Sequence, residues 1–254
     1  MIQDSMVFSG RKDMDKMKAE AIIFDKDGTL LDFDAFWVTV SHKAIQEVLE
    51  QFGYKSLSVC EILEAFGVRD GVTDMNGVLC KGTYEQLGEI LYGFFRQHGG
   101  SESCDDVTAA LIEAYNRNAE AGEVRPTCPD LVRVLGDLKA QNIKLAVVTT
   151  DNLHITRQCL EKLGILDLFD RIYTDDGQTP TKPDPYCALD FCAFAHVEKE
   201  HVVMVGDTVT DMRFAKNAGI VSIGIAKNEQ NWQILAPHAT AVITDPSRIF
   251  DVLN

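Results

Sequence analysis

The chain is expected to adopt an α/β fold: a Rossmann-like, doubly wound parallel sheet interrupted by an inserted all-helical cap domain. Two observations carry this. Downstream of Arg125, short apolar runs alternate with amphipathic helical patterns, which is how strands and crossover helices build a parallel sheet buried on both faces. Between the first such run and the next unit lie roughly a hundred residues, far more than a βα connection uses, and their apolar residues recur at helical spacing.

The first strand is read at residues 20–25, an apolar run closed by Asp25. The insertion is read as helices at 36–52, 59–66, 83–97 and 105–118, the third with Leu87, Ile90, Leu91, Phe94 and Phe95 on one face. A Gly-rich connection at 67–83 carries Arg69, Lys81 and Thr83, suited to an anionic or hydroxylated leaving group, with Lys81 or Arg69 expected to face the site. After Pro126, Thr127-x-x-Asp130 resembles a capping box opening a helix with Leu131, Val134, Leu135 and Leu138 on its apolar face. Strands follow at 144–149, 171–174, 202–206, 221–225 and 241–243, with a helix carrying Ile155, Cys159, Leu160 and Leu163 that stops at Gly164. The expected organisation is a core of 19–31 plus 125–254, a helical cap of 32–124 hinged near its two crossings, and a polar, Met-rich extension at 1–18, with Met17 an alternative start.

With 254 residues, 46% of them hydrophobic, the chain can bury a real core and a second unit. A formal charge of -15 argues against binding nucleic acid, since that affinity rests on Lys and Arg neutralising phosphates. A small ligand, held with the help of a cation, fits better. No apolar stretch approaches the roughly 20 residues of a membrane span, and the N-terminus lacks the apolar core of a signal peptide. Seven scattered cysteines without Cys-x-x-Cys indicate neither a disulfide framework nor a zinc site. The six histidines show no ligand spacing. A cytoplasmic protein, monomeric or homodimeric, is expected.

Four segments stand at or just after strand ends, in order: Asp25-Lys26-Asp27-Gly28-Thr29-Leu30, Val147-Val148-Thr149-Thr150, Lys182-Pro183-Asp184-Pro185 and Gly206-Asp207-Thr208-Val209-Thr210-Asp211. Together they point to phosphoryl transfer through an aspartate. That chemistry needs an in-line nucleophile, a proton for the leaving oxygen and positive charge against the phosphoryl oxygens. Asp25 suits the nucleophile and Asp27 the acid and base. Asp207, with Asp25 and the backbone carbonyl of Asp27, can complete an oxygen shell for Mg²⁺, and Asp211 can orient metal-bound water. Lys182 can neutralise Asp25 and the phosphoryl group, while the Thr149 and Thr150 segment supplies phosphate-binding hydroxyls.

In these motifs the chain resembles the haloacid dehalogenase-like hydrolase superfamily, in its phosphoglycolate-phosphatase-like branch with a helical cap, over nearly all of 20–254. The resemblance implies Asp25 as nucleophile, Asp27 as acid/base, Thr149 as phosphate-binding hydroxyl, Lys182 as the motif lysine and Asp207 with Asp211 as the acidic metal motif. It also implies Mg²⁺ and a mobile cap closing over a small phosphorylated metabolite, phosphoglycolate-like or a sugar phosphate. Two positions depart from the branch: Lys26 stands where relatives mostly carry an apolar or aromatic residue, and Thr150 where many have Asn. The acid at Asp27 favours ester hydrolysis over dehalogenation. Sugar phosphomutases of the superfamily share all four motifs and stand as the alternative, with a non-catalytic phospho-ligand-binding protein as a third reading.

Overall fold

The computed structural model describes residues 16–74 and 76–254. The chain divides into two compact units, one made of the segment ending at Asp32 together with Arg125–Asn254, the other of Phe33–Val124. Most of the expected extension at 1–18 lies outside the described residues. Met17, within it, is fastened: its N–H donates to the carbonyl of Val252 and its own carbonyl accepts from Asn254, both at 2.9 Å.

The first unit begins with β1 (Ala21–Phe24), and the chain then leaves it for the inserted unit. There, a π-helical turn at Asp34–Val38 leads into α1 (Thr39–Gln51), followed by α2 (Val59–Ala65), β2 (Val68–Arg69), β3 (Val72–Thr73), α3 (Val78–Lys81), α4 (Tyr84–Gln97) and α5 (Cys104–Asn118). Thr83 caps α4 in a full capping box with Gln86. Helix α5 packs on α1 and α4, bringing Leu111 and Ala114 into a buried core with Ala44, Val48, Leu91 and Phe95. The insertion is not entirely helical. β2 and β3 pair as a small antiparallel hairpin where the sequence reading has only a Gly-rich connection. Its turn is Asp70-Gly71 with φ of 51° and 76°, the left-handed pair that an Asp-Gly hairpin turn requires.

Back in the first unit come α6 (Leu131–Ala140), β4 (Lys144–Val148), α7 (Leu153–Lys162), β5 (Arg171–Tyr173), α8 (Tyr186–Ala195), β6 (Val202–Gly206), α9 (Val209–Ala218), β7 (Val221–Ile225), α10 (Glu229–Leu235) and β8 (Ala241–Ile243). The six-stranded sheet runs β5-β4-β1-β6-β7-β8 with all neighbours parallel. Successive strands move outward on one side of β1 and then on the other, so the direction of winding reverses between β1 and β6. Alternation along β1 serves both faces: Ile22 and Phe24 join Leu135, Leu138 and Val205 on one, Ala21 and Ile23 join Met204, Phe191 and Phe214 on the other. The expected capping box before α6 does not form. Asp130 occupies the N-cap without a side-chain cap bond, and the Thr127 hydroxyl instead donates to the carbonyl of Thr29 at 2.5 Å, tying α6's entry to the turn after β1.

Candidate active site

Parallel sheets bind ligands in the crevice beyond the carboxyl ends of their strands, where the winding reverses. Asp25 is the first residue past β1 and Asp207 the first past β6, so both stand at that crevice. The Asp25 N–H donates to the Val205 carbonyl at 2.9 Å, continuing the β1–β6 ladder and fixing the nucleophile candidate's backbone. The chain then turns sharply, with the N–H groups of Leu30 and Leu31 both donating to the Lys26 carbonyl at 2.9 Å. Gly28 adopts φ +79°, and a Cβ there would fall inside the Asp207 carboxylate. The Thr29 hydroxyl donates to Asp207 Oδ1 at 3.3 Å.

Lys182, in the segment before α8, joins the motifs. Its buried ammonium donates to Asp25 Oδ1 at 2.5 Å and to Asp211 Oδ1 at 2.7 Å. Asp211 is itself fully buried, and its second oxygen accepts from the Thr208 N–H at 3.0 Å and hydroxyl at 2.6 Å, while the Thr208 oxygen caps the Asp211 N–H in return. The start of α9 is thus a capping box with Asp in place of the usual Glu. Helix capping and the lysine bridge together fix both oxygens of Asp211.

Carboxylate oxygens of Asp25, Asp207 and Asp211 all lie within 4.8 Å of one another. Burial pushes the Asp25 carboxyl up to about 7 against the pull of Lys182, with Asp211 and Asp27 adding repulsion. Asp207 is driven well above the ordinary aspartate value, first by burial and then by Asp25 and Asp211. Burial alone would lower Lys182; Asp211 and Asp25 outweigh it and hold its ammonium above the ordinary lysine value. One lysine does not offset this much negative charge. An all-oxygen donor set with excess charge fits a hard divalent cation.

Asp27 lies apart from this lysine bridge. The ammonium of Lys26, with 0% of its side chain exposed, sits 2.9 Å from Asp27 Oδ1, 2.8 Å from Oδ2 and 3.0 Å from Asp151 Oδ2. Burial acts to lower Lys26, but the Asp27 and Asp151 carboxylates dominate and raise it. Burial raises Asp151 in spite of Lys26. Thr149 is the first residue past β4, at the same edge of the sheet, buried, its hydroxyl accepting from the Asp151 N–H at 3.2 Å. Thr150 is exposed. In the helical unit, Arg69 is exposed and Lys81 donates to Asn76 Oδ1 at 2.6 Å.

The structure therefore brings Asp25, Lys182, Asp207 and Asp211 together and gives Asp27 a partner in Lys26. Sequence reasoning missed Asp151 and the cap formed by Thr208. The second was legible, because Thr208-x-x-Asp211 has capping-box spacing; the first was not, because the Lys26–Asp151 pair depends on β1 and β4 being neighbours.

The sequence matches the model of the haloacid dehalogenase-like hydrolases over residues 19–219. The chain belongs to this family. It is 27% identical over 234 residues to a phosphoglycolate phosphatase of Neisseria gonorrhoeae, covering 92% of this chain and 90% of the relative. It is 25% identical over 243 residues to the pyrophosphatase PpaX of Oceanobacillus iheyensis, covering 94% and 98%. A crystal structure of a hydrolase of the same superfamily from Geobacter sulfurreducens superimposes with a TM-score of 0.67 at 18% identity, covering 93% of this chain and 97% of that one, a likeness of fold. No helix among the described residues is long and apolar enough to cross a membrane.

Proposed function

We propose that this hydrolase is a Mg²⁺-dependent phosphatase that cleaves a small phosphorylated metabolite through an aspartyl-phosphate on Asp25. The observation that carries the reading is the Lys182 ammonium bridging Asp25 and Asp211 where the winding of the sheet reverses, with Asp207 alongside. Asp25 Oδ forms a bond to phosphorus as the bond from phosphorus to the leaving oxygen breaks, and Asp27 gives that oxygen its proton. Water then attacks the aspartyl-phosphate, Asp27 takes the water's proton, and inorganic phosphate departs with Asp25 restored. Lys182 orients the Asp25 carboxylate and offsets charge on the phosphoryl oxygens, and Thr149 donates a hydrogen bond to one of them.

Asp25, Asp207 and the Asp27 carbonyl would hold Mg²⁺, with Asp211 orienting its water; when bound, the ion screens the carboxylates from the phosphate dianion. Relatives named for phosphoglycolate and for pyrophosphate support a small, anionic phosphate compound as substrate. Substrate choice is assigned to the helical unit, and the reaction to the cytoplasm.

The test is phosphate release across a panel of phosphorylated metabolites, with Mg²⁺ or EDTA, beside Asp25→Asn. The expected result is Mg²⁺-dependent turnover of a small monoester that falls by about 10⁴-fold or more in the variant. Residual turnover near wild type in a folded Asp25→Asn protein would overturn the covalent route. Isomerisation of a sugar phosphate without net phosphate release would replace hydrolysis by the mutase reaction.

A further inference from the structure

Lys26, between the two aspartates of the first motif, has no role in that chemistry, and its surroundings are unusual. Its side chain is wholly buried, so its ammonium cannot itself meet a substrate. It is nevertheless within hydrogen-bond distance of both oxygens of Asp27, whose side chain keeps 17% exposure, and of one oxygen of Asp151, which keeps 9%. The Asp27 carboxylate is thus gripped by a buried ammonium while keeping part of its side chain exposed. Asp151 is held in turn just past the end of β4, where its N–H donates to the Thr149 hydroxyl and its carboxylate accepts from the Asn152 N–H at 2.8 Å.

A buried ammonium costs several kcal/mol in desolvation, and an apolar side chain of similar volume commonly serves stability as well or better. Placing a lysine here therefore has to be explained by what it does to its neighbours. A carboxylate bound through both oxygens has lost the torsional freedom that an exposed aspartate keeps. Proton transfer to a leaving oxygen is sensitive to that orientation, because displacing a reacting group by about 1 Å costs on the order of 10²-fold in rate.

We infer that Lys26, anchored by Asp151, is a positioning residue for Asp27: it holds the acid/base carboxylate at the angle from which it protonates the leaving group. This rests on the phosphatase reading, in which Asp27 is that acid. Lys26 touches no substrate and acts only through Asp27. Its loss therefore matters in proportion to how much the leaving group needs a proton.

The experiment compares release of two leaving groups in single turnovers with enzyme in excess and Mg²⁺ present. One substrate is an alkyl phosphate from the panel, whose alkoxide must be protonated; the other is 2,4-dinitrophenyl phosphate, whose phenolate departs without a proton. Lys26→Met removes the clamp. Lys26→Met/Asp151→Leu also removes the carboxylate left unpaired, so that folding and positioning are separated. The expected result in both variants is alcohol release slowed by about 10²-fold with dinitrophenolate release within about fivefold of wild type. Equal slowing of both esters in the folded double variant, or wild-type rates on both, would overturn the inference while leaving the phosphatase reading intact. Failure of the wild-type protein to cleave either ester would overturn the two together.

Discussion

The two units bury different things. Among the described residues, the helical unit buries Ser41 as its polar side chain, satisfied by the Tyr115 hydroxyl, which donates to it at 2.7 Å. The unit carrying the sheet buries Asp25, Lys26, Thr29, Thr149 and Asp211 close to one edge. Buried charge contributes little to stability that apolar packing would not supply, so its concentration beyond β1, β4 and β6 marks where the fold accepts a cost for chemistry. The helical unit is built as a core. The sheet's carboxyl edge concentrates buried charge, as the proposed chemistry requires.

The sharpest way to break this contrast is to remove the lysine that joins the carboxylates. Lys182→Met leaves Asp25 and Asp211 buried without their cation, and the cation-free protein should lose about 3 kcal/mol or more against urea. Turnover should fall by about 10²-fold or more. A variant as stable and active as wild type would mean that the charges at this edge are not organised as described.

The next effect is on pH and metal. Asp25 is raised from 3.8 to about 7, and Asp207 moves the same way. The folded, cation-free chain thus holds protons that the unfolded chain has released, so this contribution to stability is present below about pH 4 and is lost as pH rises through about 7. In EDTA the Tm should decline accordingly from about pH 5 to about pH 8, and Mg²⁺ should lift Tm more at the upper end, where the carboxylates are ionised. Equal lifts at both ends would remove the site's carboxylates as the cause.

The smallest effect belongs to the other unit. Ser41→Ala leaves the Tyr115 hydroxyl buried without its acceptor and should cost about 1–2 kcal/mol of stability, read by urea denaturation, with kcat unchanged. A matching drop in kcat would erase the distinction between a packed unit and a reactive one.

Much of this was legible beforehand because it is local. The apolar run of β1 and the helical spacing of Leu131, Val134, Leu135 and Leu138 each depend on near neighbours in the chain, and both emerge as read. The hairpin at Asp70-Gly71 was equally local, yet two-residue strands are too short to show a period. The capping box expected of Thr127 failed for the opposite reason: its hydroxyl found a tertiary partner in Thr29, and a spacing rule does not register such competition.

By itself the sequence determined which residues follow β1, β4 and β6, and so which carboxylates and hydroxyls were available to a site, because strand and helix periods are set by residues a few positions apart. Lys182, expected just after a strand end, instead lies in the segment before α8, well past β5. Only the tertiary structure decided their partnerships. Lys182 meets Asp25 across 157 positions, and Lys26 meets Asp151 because β1 and β4 lie side by side in register. An ion pair of this kind is specified by sheet order and burial, which no local pattern encodes.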